Sequence, residues 1–237
     1  FTVKAIITTV TLTAALLAIP PSALAGIFTV TNNGDGHDAA PGNGTCADAS
    51  GVCTLRAAIE ETNAYGTGAP HTINFAIGSG TVTITPASTL PAVTRDGTYI
   101  NGATQSGYAT TPIVEINGQN AGAGADGLTL AGTGQYLVSV VINRFTHDGV
   151  VISGNTNRVL NCYIGTDVPG TADLGNGRAG LAITSGSNTI GGNGASVRNV
   201  LSGNTSFGIL IQGAGATNNV LQGNYIGTDA SGTSAIP

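Results

Sequence analysis

Tyr163-Ile164-Gly165-Thr166-Asp167 returns as Tyr225-Ile226-Gly227-Thr228-Asp229, 62 residues later. At the same offset Gly170-Thr171 matches Gly232-Thr233, and Leu174 matches Ile236. A finer pattern lies inside this unit. Gly127-Leu128-Thr129-Leu130, Gly149-Val150-Val151-Ile152, Gly180-Leu181-Ala182-Ile183 and Gly208-Ile209-Leu210-Ile211 each read glycine, apolar, any, apolar. Companion apolar runs stand between them at Val138–Ile142, Val159–Leu160, Asn199–Leu201 and Asn219–Leu221. A short strand of this kind exposes one aliphatic row that it cannot bury alone, so neighbouring units must stack.

Stacking of strands about 4.8 Å apart buries a continuous column of Ile, Val and Leu. Antiparallel meanders predict more even hairpin spacing, and propellers predict Trp-Asp signatures, whereas this chain has no Trp. The expected fold class is all-β: a right-handed parallel β-helix, a solenoid, with an N-terminal amphipathic capping helix. The composition agrees. Of 237 residues 37 are Gly, 33 Thr and 20 Asn, while only 8% are charged. Thr suits pleated surfaces, and Gly and Asn accept the positive φ of corners. An Asn at one place in successive coils can bond to its copies above and below, whereas like charges stacked at that spacing repel.

Lys4, the apolar stretch Ala5–Ile19, Pro20-Pro21 and the triplet Ala23-Leu24-Ala25 read as a secretory signal peptide over residues 1–25, cleaved before Gly26. Nothing after it is long and apolar enough to span a bilayer. Phe1 at the start and Pro237 inside a repeat read as a piece of a longer chain. Beyond the leader, six Arg face nine Asp and three Glu, with no Lys. A phosphate backbone requires a basic stripe, so nucleic acid is excluded as a partner.

Export permits disulfides. Cys46 and Cys53 flank a small turn-forming loop and are the natural pair, because no nearby His or third Cys completes a zinc sphere. Cys162, in an apolar run, reads as a buried small hydrophobe. After the bridge, Leu55, Ala58, Ile59 and Thr62 fall at helical spacing, with Thr54 as N-cap and Arg56 paired to Glu60 on the exposed side. This helix is expected to close the end of the stack, with Leu55, Ala58 and Ile59 on the core. The organisation is therefore a leader (1–25), a cap with disulfide and helix (26–70), and repeats (71–237).

Cys53-Thr54-Leu55-Arg56-Ala57-Ala58-Ile59, after Cys46, resembles the CSLREA domain that follows the signal peptide of secreted bacterial proteins. Asn101–Tyr108 and Tyr163–Asp167 resemble segments of right-handed parallel β-helix proteins that carry it. The resemblance implies a pectin-lyase-like fold, export and a large extracellular or cell-surface parent protein, without an established activity.

Related β-helices include polysaccharide lyases and hydrolases, which bring Asp126 and Asp148 forward as enzyme candidates. Each directly precedes the Gly of a strand, so the two can stack on one face with His147 beside the second, and paired carboxylates serve glycosidic chemistry. Ala179 and Phe207 occupy the same place in the next two units, so turn-capping by Asp is the preferred reading. Asp35, Asp38 and Asp48 flank Gly-rich turns and are the candidate Ca²⁺ ligands, though no 12-residue loop ending in Glu supports them. No cofactor is expected. The expected function is a secreted or cell-surface, non-catalytic, adhesin-like scaffold whose flat faces bind carbohydrate or protein; the alternative is a polysaccharide lyase or glycoside hydrolase.

Overall fold

The structure is a computed structural model that describes residues 25–66 and 70–237. The leader read at 1–25 lies outside them except for Ala25. The chain opens with β1 (Ile27–Val30), passes through α1 (Leu55–Ala64) and continues as short strands. These are β2 (Thr72–Phe75), β3 (Val82–Ile84), β4 (Tyr99–Asn101), β5 (Val114–Asn117), β6 (Leu128–Leu130), β7 (Tyr136–Val138), β8 (Val140–Asn143) and β9 (Val150–Ile152). There follow β10 (Arg158–Leu160), β11 (Tyr163–Ile164), β12 (Ala179–Ile183), β13 (Thr189–Gly191), β14 (Val200–Leu201), β15 (Phe207–Ile211), β16 (Val220–Gln222) and β17 (Tyr225–Ile226).

They sort into three sheets in which the paired strands are parallel. One has seven strands in the order β1-β2-β4-β7-β10-β13-β16, one six in the order β3-β5-β8-β11-β14-β17, and one four in the order β6-β9-β12-β15. The right-handed β-helical solenoid with its capping helix, expected from the repeats, is corrected accordingly: among the described residues three parallel sheets and one α-helix are consistent with a parallel α/β fold. The all-β class fails at the start of the chain, where β1, α1 and β2 form a β–α–β crossover, with β1 and β2 paired in parallel and α1 against both. Uniformity fails because the four-stranded sheet begins only at Leu128. The periodicity shows which residues are equivalent. It does not show how the chain turns between strands, which decides the sheet that each strand joins.

Strict register lines up the buried rows. In the seven-stranded sheet Phe28, Ile73, Ile100, Leu137, Val159 and Ile190 are successive partners. In the six-stranded sheet the row is Ile84, Ile116, Ile142, Ile164 and Leu201. In the four-stranded sheet Leu130, Ile152 and Ile183 align. All belong to one buried cluster. Full burial of such a side chain contributes about 1.5–3 kcal/mol. The rows end on partly exposed Leu221, Ile226 and Ile211 at the last strands. Among the described residues no helix is long and apolar enough to cross a membrane.

Asn ladders hold the turns between strands. The backbone N–H of Gln135 donates to Asn157 Oδ1 (2.6 Å), that of Asn157 to Asn188 Oδ1 (2.8 Å), and that of Asn188 to Asn219 Oδ1 (2.8 Å). The preceding residues Thr156, Ser187 and Asn218 all have φ near +60°, a left-handed conformation that costs about 1–2 kcal/mol for a residue with a Cβ. Hydrogen bonding of a buried N–H at each turn offsets that cost. Asn199 and Asn224 make a second such series from Cys162, and Asn176 and Asn204 a third from Phe145. At Gly175 the backbones approach so closely that a Cβ would collide with the carbonyl oxygen of Gly203.

Thr54 caps α1, its hydroxyl accepting from Ala57 N at 3.0 Å. Leu55, Ala58 and Ile59 are fully buried. Arg56 is not on the exposed side. It is buried, and its Nε and Nη2 each donate to Asp35 at 2.9 Å, with further bonds to the carbonyls of Ser88 and Thr89. Glu60 instead takes His37 (2.6 Å) and the backbone N–H of Asp38 (2.8 Å). An i, i+4 pair on a surface is worth only a few tenths of a kcal/mol, so a buried bidentate Arg–carboxylate pair outcompetes it.

Candidate functional site

Asp126 stands just before β6, His147 and Asp148 just before β9, and Arg178 just before β12. These strands are neighbours in one sheet, so their entry turns lie side by side. His147 Nδ1 lies 2.6 Å from Asp126 Oδ1 and 3.6 Å from Asp148 Oδ2. Among the described residues these three form the one cluster of at least three potential ligand side chains, with donor atoms within 4.8 Å. The structure thus brings together Asp126, His147 and Asp148. It adds Arg178, which the sequence reading did not single out although it sits next to Ala179, the residue in register with Asp148.

The chemistry of the cluster is set by what already occupies it. Asp148 is fully buried. Its Oδ1 accepts from Arg178 Nε (2.7 Å) and Ala179 N (3.0 Å), and its Oδ2 accepts from Arg178 Nη2. Asp126 Oδ1 accepts from the backbone N–H of Asp148 at 2.9 Å. Each carboxylate therefore ties its own turn to the next one up the sheet. Hydrogen bonding to Asp148 holds the Arg178 guanidinium above its usual pKa. A bidentate guanidinium on Asp148 leaves no room for a second cation on those oxygens, and its charge repels one. The donor set does not fit a bound Ca²⁺ ion. The grooves lined by Asn63 and Asp96, by Tyr163 and Arg198, and by Ser202 and Ile226 do not reach this cluster.

The three Asp before α1 do not converge. Asp35 is bound by Arg56. Asp38 accepts from the N–H groups of Ala40 (2.8 Å) and Ala47 (3.2 Å). Asp48 accepts from Ser50 Oγ (2.6 Å), which leads the interactions that lower its pKa. Asp167 and Asp229, at equivalent places in the repeated pentapeptide, fold their loops alike, each accepting backbone N–H groups four and five residues on. Asp229 is likewise held below the usual carboxylate range, first by Ser231.

Cys46 and Cys53 form a disulfide. Closing so short a loop is worth about 2–3 kcal/mol in the chain-entropy model. Cys162 is free and fully buried, its thiol pushed up to about 12 by desolvation. The native protein should therefore resist iodoacetamide at pH 8 and gain one carbamidomethyl group in denaturant, read by intact mass. Labelling of the folded chain at the rate of a free thiol would contradict this burial.

A different feature lies on the outer face of the six-stranded sheet. There Tyr163, Val200 and Tyr225 are register partners. Tyr163 and Val200 line a groove of about 400 Å³ together with Thr111, Ser196 and Arg198. Burial raises the Tyr163 phenol, which stays a neutral donor. Tyr163 and Val200 lie in runs that the repeat marks, but the groove escapes sequence reading because Thr111, Ser196 and Arg198, from segments far apart in the chain, complete it. The outer face of the seven-stranded sheet carries Tyr99 and Tyr136 in register, ring centroids 5.5 Å apart, with Arg158 over Tyr136. Comparison with models of known protein families and with curated proteins matches the chain to none of them.

Proposed function

We propose that the chain is a rigid, non-catalytic scaffold of an exported or cell-surface protein, adhesin-like in character, which binds carbohydrate or protein on its outer sheet faces. The observation that carries this reading is the engagement of Asp148 and Asp126. The carboxylates best placed for chemistry accept the N–H groups of the next strand's entry, and one of them is closed off by Arg178. The disulfide supports export, since such bonds persist in oxidising compartments. The CSLREA-like motif supports the same reading.

One observation favours a second reading, a polysaccharide lyase or glycoside hydrolase. The His147 side chain is 39% exposed and is oriented by Asp126, the arrangement of a positioned general acid or base. Incubation of the full-length protein with a polysaccharide panel, with and without Ca²⁺, decides between the two. The scaffold reading expects no new reducing ends and no unsaturated products. Reproducible cleavage that disappears in a folded His147→Ala variant would replace it with the enzyme.

A further inference from the structure

We propose that the groove on the outer face of the six-stranded sheet binds an anionic sugar, with Arg198 holding the acidic group and Tyr163 carrying the ring. The site deepens the reading of the chain as a binding scaffold and rests on it. Its floor is Tyr163 and Val200, side by side on neighbouring strands. Val200 is covered, and the half-buried Tyr163 ring is the surface that matches the C–H face of a pyranose. Thr111 and Ser196 on the walls offer hydroxyl groups to a polyol. The volume, about 400 Å³, lies at the lower end for small-ligand sites and suits one or two sugar units.

Arg198 gives the groove its charge preference. Its Nε donates to the Gly223 carbonyl at 2.9 Å, and its guanidinium carbon lies 4.2 Å from the Tyr225 ring centroid. Those two contacts fix the plane of the fork before any ligand arrives, so little side-chain entropy remains to be lost. Arg56 and Arg178 are held by Asp35 and Asp148, whereas Arg198 makes no salt bridge among the described residues, and no Asp or Glu lines the groove. Arg95, Arg144 and Arg158 likewise make no salt bridge among the described residues, but Arg198 is the one that lines this groove, where a carboxylate or sulfate ester on a sugar ring pairs with its fork.

The test measures binding of methyl glucuronide, glucose 6-sulfate and methyl glucoside to the full-length protein by calorimetry or NMR titration. At least one anionic sugar should bind about tenfold or more tightly than the neutral one, the range of a charge-assisted hydrogen bond. Arg198→Gln should erase that ratio without changing the melting temperature. Arg198→Lys should retain part of it, because the charge survives and the fork does not. Tyr163→Ala should weaken all three sugars together. Equal binding of the three, binding of none, or an unchanged ratio in Arg198→Gln would overturn the site. Release of methanol from methyl glucuronide would overturn the non-catalytic reading instead, and would leave an anion preference dependent on Arg198 intact.

Discussion

Ile59→Asp is expected to abolish the soluble folded yield. Ile59 is fully buried in α1, within the same apolar cluster as Leu55, Ala58 and Ile73. Truncating a buried Ile to Ala costs about 2–5 kcal/mol. The Asp adds either an uncompensated buried charge or the work of protonating it, so the total exceeds about 5 kcal/mol. Domains of this kind are stable by only about 5–15 kcal/mol. The variant also uncovers β1 and β2, whose apolar rows then become available for association. Ile59→Val, expected to cost about 0.5–1.5 kcal/mol, is the control that keeps the helix in place. Monomeric, equally stable Ile59→Asp, judged by size-exclusion chromatography and thermal unfolding, would show that the packing of α1 on β1 and β2 does not hold the fold together.

Asp148→Ala is expected to destabilise the fold by about 2–4 kcal/mol. Removal of the carboxylate leaves the buried N–H of Ala179 without a partner and Arg178 without its bidentate contact. Arg178 remains one-third exposed and recovers hydration, which keeps the figure below that of a fully buried pair. Asp126→Asn removes charge but retains an oxygen for the N–H of Asp148, so it should cost about 1 kcal/mol or less. Denaturant melts of the two variants give the comparison. Equal, negligible effects would mean that the turns before β9 and β12 hold themselves and that Asp148 is free for another task.

The strands and the helix, though not the architecture they build, are legible in the sequence. The Gly-apolar-any-apolar runs at Gly127, Gly149, Gly180 and Gly208 each introduce a strand of the same sheet, because the alternation fixes which side chains turn inward. Thr54, Leu55, Ala58 and Ile59 marked the helix through capping and spacing. Three things were not legible. The assignment of strands to three sheets depends on turn geometry at residues such as Ser139 and Asn161, whose positive φ no periodicity reveals. The partner of Arg56 is Asp35, 21 residues away, while the local rule pointed to Glu60. The groove at Tyr163 and Arg198 is assembled from segments that come together only once the six-stranded sheet exists.

The 62-residue spacing between Tyr163 and Tyr225 advances the six-stranded sheet by two strands, from β11 across β14 to β17. Arg158 and Val220 are likewise two strands apart in the seven-stranded sheet. Within its sheet each strand pairs only with the one before and the one after it, while its inward side chains join a core shared by all three sheets. A duplicated or deleted unit of this size therefore keeps the parallel pairing within each sheet. Duplication or loss of such a unit within the gene would add or remove strands two at a time in each sheet.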